Sequence, residues 1–539
     1  MKNRISIVKK AIFVSLLMTI CVQVLGANTF KVDGIWYRMT SDNTVEVIPI
    51  QPDSGEGGTS FFIQPTYEGD IMIPATVMCG ETTCTVTSVE EGAFRNSLQL
   101  TSISLPTTLT NLGVAPFAKC SKLERITVAD ENAVYQAVGG MLYDKKVTTL
   151  ITCPAATSGD VVLPSTLTAI APSAFYGCSK VNSITIPSTV DNIGIAAFYN
   201  CSGLTSLHLP EGVSAISDSV CYGCTNLTSI TIPSTVASIG EKAFAQCKKV
   251  KNFSLPASLK TIGRGAFILC YGMSSITMPE NLEEIGEAAF ENCSKLTSFT
   301  IPASVTSVGA RAFNSCTSMR NITVADDNPN YCSVSGVLFD KMKTTLLCCP
   351  GAKSGEYVVP TTVRNIADYG FYYCKSLKSI CLPLSLQSIG SCAFRLCSGL
   401  TTIAIPPNVR SLGDEAFVGC SALTSIFSYP NRVPAVTEDA FSASNKSATL
   451  YVPSQAVILY QADENWGEIQ TILPITWDVV SGLRGDTNQD GMVNVTDIMQ
   501  TVNASLGTEP DNFSWQMADV NVDGHINVAD IMGIVNIIQ

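Results

Sequence analysis

A repeat of 23 residues constrains this chain more than any other feature. Prolines recur at that constant step at Pro187, Pro210, Pro233, Pro256, Pro279 and Pro302. Phenylalanine keeps the same step at Phe175, Phe198, Phe244, Phe267, Phe290 and Phe313, and Cys221 stands where one more would fall. A unit of this size cannot bury a core alone, so the copies must stack and each must contact its neighbours. Stacked copies extend along one axis, so a chain of 539 residues need not form one ordinary compact domain.

The pattern inside one unit predicts its local structure. In residues 227–232, isoleucines alternate with hydroxyl side chains at Ser229 and Thr231, which is typical of a strand with one buried face. Pro233 has no N–H for a ladder hydrogen bond, so the strand ends there. The segment around Phe244 is predicted to form a short helical or irregular turn. Stacked units would place these strands parallel to one another.

This pattern, Leu-Thr-Ser-Ile-Thr-Ile-Pro followed by Ile-Gly and Ala-Phe-x-x-Cys, resembles the BspA-like leucine-rich repeats of bacterial surface proteins. The resemblance covers residues 88–430 and implies a repeat solenoid, mainly β, with parallel strands. The terminal coils of a solenoid need covering. Residues 27–87 are therefore predicted to form a β cap at the N-terminal end, and residues 431–475 a cap at the other end.

Two insertions interrupt the repeat, at about 128–162 and 324–358. They are related in sequence, and each is predicted to be a hairpin of two apolar strands around an Asp-Lys turn. Insertions of this kind are either structural parts of the solenoid or candidate binding loops.

Cysteines form a ladder along the repeat. Of the 21 cysteines, eleven stand three residues after the phenylalanine position: Cys120, Cys178, Cys201, Cys224, Cys247, Cys270, Cys293, Cys316, Cys374, Cys397 and Cys420. Stacking would bring neighbouring Cα atoms to about 5 Å, which disulfides also tolerate. We favour buried thiols, because bridged pairs would strain a uniform stack. Cys79 and Cys84 are predicted to close a small disulfide loop rather than to bind a metal.

Catalytic residues are not evident, and we expect no enzyme. The chain has two histidines; His208 occupies an outward strand position, and no nucleophile or phosphate-loop motif is found. The outward strand positions are rich in hydroxyl groups and amides. They form two rows: Ser183, Ser206, Ser229, Asn252, Ser275, Ser298 and Asn321, then Thr185, His208, Thr231, Ser254, Thr277, Thr300 and Thr323. These rows are either a solvated surface or a binding surface for protein or glycan.

Two acidic loops near the C-terminus carry the clearest chemistry. Each places oxygen-bearing side chains at loop positions 1, 3, 5, 9 and 12, a glycine at 6 and a backbone ligand at 7. Calcium takes six to eight such hard oxygen ligands. The predicted ligands for two Ca²⁺ ions are Asp486, Asn488, Asp490, Met492 and Asp497, then Asp519, Asn521, Asp523, His525 and Asp530.

Each loop leads into an apolar helical stripe, and the doubled loop-helix pattern resembles a dockerin over residues 484–539, after a linker at 476–483. The resemblance implies a small α-helical calcium-binding domain and a cohesin domain as its partner. Positions 10 and 11 of dockerin loops help to choose the partner; they are Val495-Thr496 and Val528-Ala529 here. A cap or stalk tip without a partner is the alternative. We expect calcium removal to unfold this module and to leave the unfolding of the solenoid unchanged.

The first 26 residues have the pattern of a signal peptide. Basic residues at Lys2, Arg4, Lys9 and Lys10 precede an apolar run of about 14 residues, too short to span a membrane. The sequence therefore predicts an exported protein without a transmembrane anchor after cleavage. The net charge of −12 disfavours nucleic acid as a partner.

These features predict a secreted or cell-surface binding scaffold. In this interpretation the solenoid contacts a host or bacterial protein, and the calcium module attaches the scaffold to its docking partner. The alternative is a non-catalytic accessory subunit of a cohesin-dockerin assembly that degrades polysaccharides, with the solenoid binding glycan. A hydrolase is a distant third interpretation.

Overall fold

The computed structural model describes residues 28–50, 66–436, 440–441, 447–475, 485–488, 493, 495–508, 510, 513–520 and 525–538. The signal-peptide prediction at 1–26 and the linker prediction at 476–483 fall outside these residues. Two compact units divide the chain, residues 1–250 and residues 251–539. Each unit is a mainly-β solenoid with parallel strands, as the repeat predicted.

Two kinds of strand build the coils. The longer kind, called first-row strands, comprises Glu68–Met72, Gln99–Leu105, Arg125–Val128, Ser158–Val162, Lys180–Thr185, Ser206–His208 and Ser229–Thr231 in the first unit. In the second unit it comprises Ser298–Ile301, Asn321–Val324, Gly355–Val358, Leu377–Cys381, Thr402–Ile405, Ser425–Ser428, Thr449–Val452 and Thr471–Pro474.

The second kind, called second-row strands, has two residues each. These strands are Asn111–Leu112, Ala169–Ile170, Asn192–Ile193, Ala215–Ile216 and Ser238–Ile239 in the first unit. The second unit has Thr261–Ile262, Glu284–Ile285, Ser307–Val308, Asn365–Ile366, Ser388–Ile389, Ser411–Leu412 and Ala435–Val436.

The register of the first row follows the sequence period. Ser206 pairs with Ser229 and Leu207 with Ile230 in parallel strands. Ile230 is buried, whereas Ser229 and Thr231 are exposed. The predicted alternation of buried isoleucine and outward hydroxyl side chains is confirmed for these strands.

The phenylalanine segments form irregular turns rather than helices. Lys242 and Gln246 flank Phe244 with φ angles of 53° and 61°, the left-handed region that interrupts a helix. The phenylalanine rings stack on those of adjacent coils. In the second unit the ring centroids of Phe267 and Phe290 lie 5.3 Å apart with an interplanar angle of 6°.

The ladder cysteines are all buried thiols. Several of them donate a hydrogen bond to a backbone carbonyl 26 residues earlier, in the turn of the preceding coil. In the second unit, Cys316 bonds Phe290 at 3.2 Å and Cys420 bonds Phe394 at 3.0 Å. Burial raises the pKa of the Cys316 thiol to about 12. Cys79 and Cys84 are disulfide-bonded, as expected.

The insertions have three antiparallel strands each, so the two-strand hairpin prediction was incomplete. The strands are Tyr135–Val138, Met141–Asp144 and Thr149–Thr152 in the first insertion, and Tyr331–Val334, Val337–Asp340 and Thr345–Cys348 in the second. The Asp-Lys turn joins the second and third strands. The third strand then pairs in parallel with a second-row strand, so each insertion is built into the solenoid sheet.

A buried asparagine opens each insertion. The Asn328 amide nitrogen donates to the carbonyl oxygens of Pro302 at 2.8 Å and Val305 at 2.9 Å. Its amide oxygen accepts the backbone N–H groups of Asn330 and Tyr331. Asn132 makes the equivalent bonds in the first unit. The asparagine therefore fastens the insertion to the coil before it.

The ends of the repeat region are covered by further elements. At the N-terminal end lie the strands Thr29–Val32, Ile35–Ser41, Thr44–Ile48, Thr76–Cys79 and Thr82–Val89. At the other end, beyond residue 430, both strand rows continue, and the α-helix α1 (Val457–Ala462) lies between two short 3-10 helices, Ser454–Ala456 and Trp466–Glu468. Tyr460 and Trp466 are fully buried against the last coils.

Candidate calcium and docking module

Three helices form the C-terminal module: α2 (Val495–Ser505), α3 (Trp515–Ala518) and α4 (Val528–Ile538). The helices α2 and α4 begin inside the two acidic loops, as the sequence predicted. The last predicted ligand of each loop, Asp497 or Asp530, therefore lies in the first turn of a helix. A carboxylate in this position also interacts favourably with the helix dipole.

The described part of the first loop is closed by Asp497. Its Oδ1 accepts the backbone N–H of Thr487 at 2.7 Å, the hydroxyl of Thr487 at 3.0 Å and the N–H of Asn488 at 3.2 Å. Loop positions 2 and 3 are thereby held against position 12. Asp486 and Asp497 are both buried.

The second loop is held in a similar way. Asp530 is fully buried, and its Oδ2 accepts the backbone N–H of Asn527 at 3.0 Å. Asp519, at position 1, is also buried, and its N–H donates to the carbonyl of Trp515 at 2.9 Å. His525 is exposed, so its expected contribution is a backbone carbonyl rather than its ring.

The middle ligands of both loops, Asp490, Met492, Asn521 and Asp523, fall outside the described residues. Within the described part of the chain, no group of three or more histidine, cysteine or acidic side chains is arranged to hold a metal ion. The predicted ligands that the structure does describe are Asp486, Asn488 and Asp497 in the first loop and Asp519, His525 and Asp530 in the second.

The charge of the module fits a bound cation. Four of its carboxylates, those of Asp486, Asp497, Asp519 and Asp530, are buried. Residues 484–539 contain one arginine, Arg484, one histidine and no lysine, so the module has few cationic side chains to balance them. Buried carboxylates are costly unless they are paired or coordinate a metal. Calcium, a hard cation with oxygen ligands, matches this donor set.

The apolar stripe of each helix divides into two faces. Ile498 and Val502 are half-buried, whereas Val495 and Met499 on α2 are 65% and 60% exposed. The equivalent residues of α4, Val528 and Met532, are 70% and 52% exposed. The same apolar pair is therefore presented twice, 33 residues apart in sequence. Exposed apolar groups in a repeated arrangement are typical of a surface that binds a partner.

The module also packs on the coils of its own unit. Trp515 is 1% exposed, and its indole N–H donates to the carbonyl of Leu382 at 3.0 Å. Its ring meets that of Tyr429 edge-on, with centroids 4.2 Å apart. Burial raises the pKa of the Tyr429 hydroxyl, and the charge of Asp519 raises it further. Trp515 therefore has its hydrogen-bond partner in the repeats, so the module and the coils of its unit are in direct contact.

Residues of the hydroxyl rows that lie on described strands, such as Ser206, Ser229 and Thr231, are exposed as predicted. Four further members of the rows are exposed but belong to no strand, which corrects the prediction there: Asn252, Ser254, Ser275 and Thr277. His208 is exposed among them, as expected for a surface residue. Three partly exposed tyrosines that were not predicted as a surface feature form a stack: Tyr176, Tyr199 and Tyr222, with neighbouring ring centroids 4.7 and 4.6 Å apart. The signal was present, because each tyrosine follows the phenylalanine position, or its Cys221 replacement, by one residue.

No helix in the described ranges has both the length and the apolar character needed to cross a membrane.

Comparisons with known proteins agree with this architecture. The family model of the BspA type leucine rich repeat region matches residues 81–138, 151–268, 214–335 and 350–462. The model of the dockerin type I domain matches residues 484–539. Both are non-catalytic scaffold families with typically extracellular or surface proteins, and dockerin type I domains generally bind calcium. A comparison with curated proteins found no match.

Solved structures similar to this chain include a leucine rich cell surface protein from Faecalibacterium prausnitzii. It is 23% identical, with a TM-score of 0.37, and the match covers 85% of this chain and 99% of that one. A leucine-rich repeat protein from Bacteroides ovatus is 23% identical, with a TM-score of 0.41, over 83% of this chain and 100% of that one.

Proposed function

Because this chain belongs to the BspA type leucine-rich repeat family and its residues 484–539 match a type I dockerin domain, we propose that it is a secreted or cell-surface, non-catalytic binding scaffold. The solenoid binds a protein partner, of host or bacterial origin, and the module docks the scaffold to a cohesin domain. The observation that carries this proposal is the apolar pair that the acidic module presents twice to solvent.

Calcium holds the module in its binding form in this proposal. One ion binds Asp486, Asn488, Asp490, the Met492 carbonyl and Asp497, and a second binds the equivalent set Asp519, Asn521, Asp523, the His525 carbonyl and Asp530. Burial of the described carboxylates supports the assignment. The ions neutralise charges that would otherwise repel one another within each loop.

The cohesin-facing surface consists of Val495 and Met499 on α2 and their equivalents Val528 and Met532 on α4. The partner-selecting positions 10 and 11 of both loops are exposed, which supports this choice. Because the two helices present the same apolar residue types, either helix offers a comparable surface. The buried side of the module, around Trp515, is directed to the repeats instead.

A calcium-dependent pull-down tests the docking function. Full-length protein immobilised with calcium should retain a cohesin-bearing protein from the envelope fraction of the source cell, and chelator should release it. The double variant Met499→Arg and Met532→Arg should lose that protein, because a charge then faces the apolar interface. Replacement of Thr508, which is exposed on the same module, by Arg is the matched control. Equal retention by the double variant and the wild type would contradict the proposed surface.

The accessory-subunit alternative has one observation in its favour. The tyrosine stack offers partly exposed aromatic surface, and aromatic side chains with a polar tip are common in binding sites. In that case the solenoid binds glycan while the module joins a cohesin-bearing scaffold. A glycan array with the full chain and with a Tyr199→Ala variant separates the two: glycan binding that the variant loses favours the alternative.

Export is part of the proposal and depends on the signal-peptide pattern of residues 1–26. Mass spectrometry of the protein recovered outside the source cell tests it, with a mature N-terminus at residue 27 expected.

A further inference from the structure

The strand surface changes composition in the last coils of the second unit. The second outward row carries hydroxyl side chains such as Thr300 and Thr323 in the earlier coils of that unit. Further along, the same positions carry apolar or thiol side chains: Val358, Cys381, Ala404, Phe427 and Tyr451. Solvated strand surfaces favour the hydroxyl type, so the later coils carry a surface suited to being covered.

The C-terminal module covers the part of this surface around Ala404, Phe427 and Tyr451, whereas Val358 stays 43% exposed. Phe427, Tyr429 and Trp515 belong to one buried cluster, and Ala404 and Tyr451 pack against it. A cleft of about 180 Å³ remains beside the contact. Strand residues, among them Cys381 and Thr402, line one side of the cleft, and Ser514 and Met517 line the other. The occupant of the apolar strand surface is therefore a segment of the same chain.

Both acidic loops hold the helix that makes the contact. The first loop is bonded to α3 and the residue before it, because the Ser514 N–H donates to the Thr487 carbonyl at 2.6 Å and the Gly485 N–H donates to the Met517 carbonyl at 3.0 Å. The second loop begins at Asp519, directly after α3. The segment around Trp515 is thus bonded to Gly485, just before the first loop, and to Thr487 at its position 2, and the second loop follows it directly.

We propose that calcium binding to these loops controls the docking of α3 on the strand surface, so that the module is a calcium-dependent lid over the cleft at Cys381. The inference depends on the calcium sites of the proposed function, but not on cohesin binding. Without calcium the buried carboxylates repel one another, and the loops that hold α3 expand. Trp515 then leaves its site, and the apolar strand surface is exposed to solvent.

Thiol labelling of the full chain tests the lid. Cys381 lines the cleft and Cys332, in the second insertion, is equally half-buried but lies outside the cleft lining, so Cys332 is an internal control. The chain is labelled with a maleimide in calcium or in chelator, and the rate is read at each cysteine by peptide mass spectrometry. Chelator should accelerate labelling of Cys381 at least about tenfold, as expected for a locally opened site, and leave Cys332 unchanged.

Variants of the module separate the lid from calcium binding. Trp515→Ala should give fast labelling of Cys381 in calcium as well as in chelator, while calorimetry still detects calcium binding. Leu506→Ala, at a highly exposed position of the same module, should behave like the wild type.

Three outcomes would overturn the inference. Equal labelling of Cys381 with and without calcium, in a chain that binds calcium by calorimetry, removes the lid and leaves the calcium sites standing. Absence of calcium binding removes the calcium sites and the lid together. Labelling of the buried ladder cysteine Cys397 in chelator would mean that the solenoid itself unfolds, which also contradicts a local lid.

Discussion

The thiol of Cys316 donates a hydrogen bond to the backbone carbonyl oxygen of Phe290, 3.2 Å away and 26 residues earlier in the chain. The bond joins two neighbouring coils, and the same carbonyl also accepts the backbone N–H of Cys293 at 3.1 Å. A carbonyl oxygen has two lone pairs, so the thiol occupies the second acceptor site of this buried group. A buried thiol at this position therefore contributes both packing volume and a hydrogen bond, which a disulfide to the next coil would remove.

Thiol counting on denatured, non-reduced protein should find the eleven ladder cysteines free and only Cys79 and Cys84 oxidised. Replacing Cys316 by alanine should destabilise the second unit by about 1–2 kcal/mol, because a small cavity forms and the Phe290 carbonyl loses one of its two donors. Urea unfolding in calcium measures the change. Thr317→Ala, at the exposed neighbouring position, is the control. Full oxidation of the ladder would contradict the interpretation.

The stability of the solenoid should fall in alkaline solution. Burial raises the pKa of the Cys316 thiol from 9.0 to about 12. Between these values the unfolded chain has lost the proton while the folded chain keeps it, so stability is complete below pH 9 and decreases toward pH 12. The expected loss for this thiol is about 1.4 kcal/mol per pH unit. Urea unfolding at several pH values, with reductant, should show a shallower decrease for Cys316→Ala than for the wild type.

The asparagine that opens the second insertion should be sensitive to substitution. Asn328→Asp keeps the shape of the side chain but removes the amide donor to the Pro302 and Val305 carbonyls and buries a charge. We expect a loss of about 3 kcal/mol or more in the free energy of unfolding. Asp327→Asn, at the exposed position before it, should change stability by less than about 0.5 kcal/mol. An Asn328→Asp protein as stable as the wild type would show that the insertion is fastened by other contacts.

Calcium titration should find two ions per chain. Asp486→Ala and Asp519→Ala should each remove one, because each supplies the first ligand of its loop, and the double variant should bind none. At a free calcium concentration about 100 times the dissociation constant, one bound ion should stabilise the module by about 2.7 kcal/mol. Isothermal calorimetry and thermal unfolding measure these effects. A single site, or two sites in the double variant, would refute the assignment.

Much of the fold could be predicted because the same pattern of buried and exposed residues recurs in many coils. Ile230 is buried and Ser229 exposed in the structure, and the period-2 pattern of one unit already indicates this. The cysteine ladder was predicted for the same reason, since a position that recurs in every coil must suit a stack. The strand missed in each insertion is the first one, Tyr135–Val138 or Tyr331–Val334, because the prediction took only the two strands around the Asp-Lys turn. The local pattern also does not reveal that the third strand pairs with a second-row strand.

The sequence by itself determined the period and the inward and outward faces of the repeated strands, because these depend on neighbours at short or periodic separations; the oxygen ligands of the two loops stay a prediction from the same kind of spacing. Tertiary structure alone decided where the module lies. The Trp515 indole and the Leu382 carbonyl are 133 residues apart, and neither belongs to a motif that points to the other. Their contact depends on how α3, the acidic loops and the apolar end of the strand surface fit together. Such a long-range fit leaves no periodic pattern in the sequence from which it could be predicted.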